Sequence, residues 1–126
     1  MIRGIGVDVV EVARIQQAMR SPKFVARILT PKERKASLTP LYVAGRWAAK
    51  EAIAKAIGKN LHWHDVEILN DETGKPKVYF LKSSAKSQET YQISTAKKLG
   101  NIHLAISHER GVAVAVAIWE APPKCA

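Results

Sequence analysis

A chain of 126 residues, 47% hydrophobic and 25% charged, has the composition of one globular domain (1–126) and excludes a disordered or fibrous protein. Its longest uncharged apolar run, Val112 to Trp119, falls short of the ~20 residues that span a bilayer. The amino terminus lacks the apolar stretch of a signal peptide and the lone Cys125 cannot form an internal disulfide, so a cytoplasmic protein is expected.

Twenty Lys and Arg against 11 Asp and Glu leave a net charge of +9. The partner is therefore expected to be anionic: nucleic acid, an anionic cofactor, an acidic protein or a membrane surface.

In chain order, the β-branched run Ile5 to Val10 predicts a strand with one odd residue, Asp8. Glu11 to Met19 reads as a helix, and Ser21-Pro22 opens a second, short one carrying Phe24, Val25, Ile28 and Leu29. Thr30-Pro31-Lys32-Glu33 repeats the start signal, with Glu33 placed to close a capping box. Thr39-Pro40 begins the longest helix, predicted to run to Ile57 and stop at Gly58. Val66–Leu69 and Lys77–Leu81 flank the turn formers from Asn70 to Pro76 and predict a hairpin. A helix from Ser83 or Ser84 to Leu99 follows, then a second hairpin of Ile102–His108 and Val112–Trp119 around Glu109-Arg110-Gly111. Strands and helices mix without βαβ alternation, so the expected class is α+β with an antiparallel sheet.

At the helical period, Ala44, Trp47, Ala48, Glu51 and Lys55 share one face of the long helix. A carboxylate among apolar neighbours needs a partner. Lys55 supplies one in an ordinary pair one turn apart, with a functional role for Glu51 as the alternative. Asp8 inside an apolar strand is hard to explain by packing, unless it sits at an edge facing water. Two carboxylates without enough His or Cys for zinc suit magnesium, which takes one or two carboxylates, waters and substrate phosphates. His108 alternates with Ile102, Leu104 and Ile106 and is expected on the apolar side of its strand. Ser107 then faces the other way, so the two cannot be nucleophile and base. His62-Trp63-His64 reads as a loop rather than a metal site. Between Arg14 and Lys35, seven basic residues meet one acid, Glu33. With Met19 and Phe24 expected to be exposed beside them, the segment reads as a docking patch for an acidic partner.

The motifs occur in an order that resembles the 4'-phosphopantetheinyl transferase family, in its small holo-[acyl-carrier-protein] synthase class. The resemblance rests on Gly4 to Glu11, Phe24 to Glu33, Arg46-Trp47-Ala48-Ala49-Lys50-Glu51-Ala52 with Lys55, Trp63 to Ile68, Asn70-Asp71, Gly74-Lys75-Pro76 and Ile106-Ser107-His108-Glu109. It implies transfer of the 4'-phosphopantetheine group of coenzyme A to a serine of an acidic acyl carrier protein, in support of fatty acid biosynthesis. It implies Mg2+ held by Asp8 and Glu51, with Glu51 and Lys55 catalytic. Coenzyme A would be bound by Arg46, Lys55, Gly58, Lys59, Gly74, Lys75, Pro76, Ser107 and His108, and the carrier by Arg14, Arg20, Lys23, Phe24 and Arg27. A homotrimer with its site between subunits is also implied, with neither nucleic acid nor membrane as partner. The chain departs from the family at Gly58-Lys59-Asn60, where Gly-Thr-Gly is usual, so Lys59 would offer charge where a glycine lets backbone approach phosphate. A nucleic-acid module is the rival, but aromatics are only 6% and neither paired strand aromatics nor a helix-turn-helix pattern is present.

Overall fold

The computed structural model describes residues 1–81 and 100–122; the helix expected up to Leu99 and Cys125 lie outside the described residues. β1 (Ile2–Glu11), β4 (Asn101–Glu109) and β5 (Val112–Glu120) form an antiparallel sheet in the order β1-β5-β4, and β2 (Val66–Asn70) pairs with β3 (Pro76–Phe80) in a separate hairpin. Among the described residues, α1 (Val12–Ala18), α2 (Pro22–Ile28) and α3 (Pro40–Ile57) join these strands in an α+β architecture.

α3 starts and stops where its sequence dictates. The Thr39 hydroxyl accepts from the Tyr42 amide at 3.1 Å, Pro40 takes the first turn, and Gly58 closes the helix at φ 79°, a left-handed conformation that favours glycine. Small residues let the helix lie close on the sheet. A Cβ on Gly4 or Gly6 would stand 1.9 Å from the carbonyl oxygen of Ala56 or Ala52, so any other residue would push helix and strand apart. Ala113, Ala115 and Ala117 of β5 and Ala44, Ala48 and Ala52 of α3 are all fully buried in the same core. Ile28, Leu29, Ile53 and Ile68 fill the rest, each worth about 1.5–3 kcal/mol by its burial.

The register decides what points where. Gly6, Asp8 and Val10 lie opposite Ala117, Ala115 and Ala113 on the face beneath α3, while Ile5, Val7 and Val9 lie opposite Ile118, Val116 and Val114 on the other. Asp8 is thus on an edge strand but faces the helix rather than water. The outer β1 residues Ile5, Val7 and Val9 are more than half exposed.

Two local expectations are corrected. The capping box forms, since Thr30 N donates to Glu33 Oε1 at 2.8 Å and Glu33 N donates to Thr30 Oγ1 at 3.3 Å, yet only a 3-10 turn follows at Glu33–Lys35. The Glu33 carboxylate is drawn into the core, where Ile68 N and Lys50 Nζ also donate to it. Phe24 is buried, not exposed, and stacks on Trp47 with ring centres 5.8 Å apart.

Candidate active site where β1 meets α3

Asp8 and Lys55 meet across the seam between β1 and α3. Lys55 Nζ donates to Asp8 Oδ1 and to the Val7 carbonyl, both at 3.1 Å. The Asp8 side chain is 15% exposed and that of Lys55 55%. The expected pairing of Lys55 with Glu51 does not form; Glu51 lies one turn earlier, half-buried, with no hydrogen bond or ion pair among the described residues. Glu51 itself lines a small pocket with Ala54, Leu61, His62, Trp63 and Val66.

The donor chemistry fits magnesium. Glu51 and Asp8 Oδ2 are carboxylate oxygens with no hydrogen-bond partner among the described residues, and two such ligands leave room for waters and phosphate oxygens. No group of three or more His, Cys, Asp or Glu gathers among the described residues.

A second cluster joins α3 to the β2–β3 turn. The Arg46 guanidinium donates to Asn70 Oδ1 at 3.1 Å and lies 4.7 Å from the Tyr42 ring, whose hydroxyl donates to the Glu33 carbonyl at 2.8 Å. Burial is the main reason the Tyr42 pKa is raised. Arg46 is itself buried, and its Nε has no partner among the described residues. Asp71 Oδ1 accepts from the Thr73 amide, the Thr73 hydroxyl and the Lys75 amide, holding Gly74 and Lys75 out to solvent. The Thr73 hydroxyl above all, helped by those amides, keeps the Asp71 pKa low. Pro76 is half-buried opposite Asn70.

The remaining predicted residues spread around these clusters. Gly58 and Lys59 are exposed just beyond α3. Ser107 and His108 point to opposite faces, facing Val114 and Ala113 respectively. His108 is exposed rather than on a buried apolar side. It lies past Ile106, which meets Gly45 of α3, and one residue from the end of β4, where helix cover ceases. Arg14, Arg20, Lys23 and Arg27 are exposed on and between α1 and α2, with the Arg27 guanidinium 5.9 Å from the Phe24 ring. His62 and His64 flank Trp63 in a 3-10 turn, where a His64 ring nitrogen is 2.9 Å from the Ala26 carbonyl oxygen.

The model of the 4'-phosphopantetheinyl transferase superfamily matches residues 4–117. The chain belongs to that superfamily. It is 44% identical to the holo-[acyl-carrier-protein] synthase of Geobacillus sp. (strain WCH70), over 95% of this chain and 98% of that one. Among solved structures, the holo-ACP synthase of Plasmodium yoelii superposes with a TM-score of 0.80 at 31% identity, covering 98% of each chain. The Bacillus anthracis synthase in complex with CoA (3',5'-ADP) gives 0.76 at 35% identity, over 97% and 99%.

Within this transferase fold, sequence reasoning missed the polar residues sealed under α3: Lys50, Glu33 as its partner, and Glu67. The signal was present, since Lys50 falls three and four positions from Ile53 and Arg46, on a face that also holds Val43. It was obscured because α3 is buried on more than one side, so hydrophobic periodicity barely marks its inner face.

Proposed function

We propose that this protein transfers the 4'-phosphopantetheine group of coenzyme A to a serine of an acidic acyl carrier protein, releasing 3',5'-adenosine bisphosphate. The carrying observation is the Asp8–Lys55 contact one helical turn from Glu51, which has no partner among the described residues, within a fold shared with synthases of that name. Asp8 and Glu51 would hold Mg2+, which when bound polarises the pyrophosphate and offsets its charge. Lys55 neutralises Asp8 in the resting chain and is exposed enough to turn toward phosphate. Arg46 steadies Asn70 at the root of the turn that presents Gly74 and Lys75 to the nucleotide, and Lys59 lies exposed at the end of α3 for the same role. In the transfer, the serine oxygen bonds to the β-phosphorus as the bond to the leaving phosphate breaks. Glu51 accepts the serine proton and the Lys55 ammonium offsets the charge left on the departing group.

The outer sheet face supports assembly. Ile5, Val7 and Val9, flanked by Val114, Val116 and Ile118, form an apolar strip that other copies of the chain would cover. The family resemblance implies three copies. Ser107 lies on that face, so a seated copy would put it at a subunit seam, whereas His108 faces the α3 side at the exposed end of β4. The exposed basic residues of α1 and α2 would receive the carrier.

Incubating the protein with apo carrier, coenzyme A and magnesium and then weighing the carrier tests the proposal. A gain of one phosphopantetheine on a serine is expected; a carrier of unchanged mass contradicts it.

A further inference from the structure

Lys50 precedes Glu51, is buried, and has no part in the chemistry above. Its ammonium donates to the Ile28 carbonyl, the Trp63 carbonyl and Glu33 Oε1, each at 2.8 Å, which uses all three N–H groups. Glu33 is equally engaged: Thr30 N donates to Oε1 and Ile68 N to Oε2, both at 2.8 Å. The Thr30 hydroxyl in turn donates to the buried carboxylate of Glu67. These acceptors belong to three separate segments: the end of α2, the turn after it, and the turn leading into β2.

Stability alone does not account for this arrangement, because apolar groups of similar volume commonly replace a buried ion pair without loss. An ammonium differs from an apolar side chain in fixing direction, since each acceptor must lie along an N–H bond. A second link runs beside it, where Trp47 of α3 stacks on Phe24 of α2 and meets Trp63 at a tilt of 34°, with ring centres 5.8 and 4.4 Å apart, but ring contacts tolerate sliding.

We propose that Lys50 is a positioning residue for the transfer, locking α2 and the entrance to the β2 hairpin onto the turn of α3 that carries Glu51. The carrier serine, delivered along α2, then meets the phosphate in line. This inference rests on the function proposed above. Misplacement by about 1 Å costs a reaction of this kind up to about a hundredfold.

The test is the double variant Lys50→Met with Glu33→Gln, which removes both charges and leaves neither uncompensated. Thermal unfolding, coenzyme A affinity by calorimetry, and kcat and KM for the carrier are measured beside the wild type. We expect cooperative unfolding, coenzyme A affinity within about twofold, carrier KM within about threefold, and kcat lower by about tenfold or more. A folded variant with wild-type kcat overturns the inference. So does one that loses coenzyme A affinity in step with kcat, or one that no longer folds, since the pair would then serve the cofactor site or stability instead. No transfer by the wild type removes the functional reading itself, and this inference with it.

Discussion

Two lysines five residues apart on α3 each meet a carboxylate, and their surroundings are opposite. Lys50 and Glu33 are 2.8 Å apart with side chains 3% and 0% exposed, whereas Lys55 and Asp8 are 3.1 Å apart in a seam open to solvent. Every hydrogen-bonding site on the Lys50 ammonium is committed to backbone or to Glu33. Burial lowers the Lys50 pKa, with Glu33 pulling the other way. Among the described residues, Lys55 Nζ donates only to a carboxylate oxygen and one carbonyl, and its side chain is 55% exposed. A contact of the second kind is cheap to exchange, because exposed pairs contribute roughly 0–1 kcal/mol. On the function proposed here, the difference would separate a frame from a working site: the sealed pair would fix geometry, and the open pair would trade partners for metal and phosphate.

The largest effect expected from this contrast is on chemistry. Asp8→Ala and Glu51→Gln are each expected to lower the transfer rate by about a thousandfold, in the range seen when a positioned charge is removed. Their melting temperatures should stay close to wild type. Near-normal transfer by either variant at low magnesium would falsify the metal assignment. The two lysines should then divide by observable. Lys50→Met alone strands Glu33 as an uncompensated buried charge and is expected to cost about 3–5 kcal/mol in denaturant unfolding. Lys55→Met should change stability by no more than about 1 kcal/mol while cutting transfer by about a hundredfold. Equal stability losses in the two variants would erase the contrast.

Much of this architecture is legible in the amino-acid sequence. Thr39-Pro40 and Gly58 bracket α3 because their capping chemistry is local, and both hairpins follow from turn residues between strand-like runs. Asp8 stands out because strands disfavour a lone carboxylate. What pattern cannot reveal is partnership between distant residues. Lys55 chooses Asp8, 47 residues away, over Glu51 one turn back, because β1 passes within reach of the end of α3. Phe24 reads as exposed on a seven-residue helix, but Trp47 supplies a surface that only the tertiary fold creates. The buried Lys50 network likewise draws its acceptors from three segments that meet only when folded.

Smaller effects sharpen the same division on the surface. Arg14→Glu with Lys23→Glu should raise the carrier KM by about tenfold and leave the coenzyme A KM unchanged. Raising salt should weaken carrier use by wild type more than by the variant, since exposed charges are screened over about 8 Å at physiological ionic strength. Unchanged carrier kinetics would move the docking site elsewhere. The smallest effect concerns the β2–β3 turn. The Asp71 pKa is held below its ordinary value chiefly by the Thr73 hydroxyl, so its contribution is complete above that ordinary value and is lost as pH falls through the folded one. Protection of the Thr73 and Lys75 amides from hydrogen exchange should therefore drop in acid, and in Asp71→Asn it should be low throughout. Constant protection in the native chain would mean that the carboxylate does not organise the turn.

The claim that the open pair is a metal and phosphate site is tested most directly by calorimetric binding of coenzyme A, with and without magnesium, to the wild type and to Asp8→Asn. Magnesium is expected to tighten binding by the wild type and to leave the variant's affinity unchanged. An equal magnesium response in both proteins would contradict it.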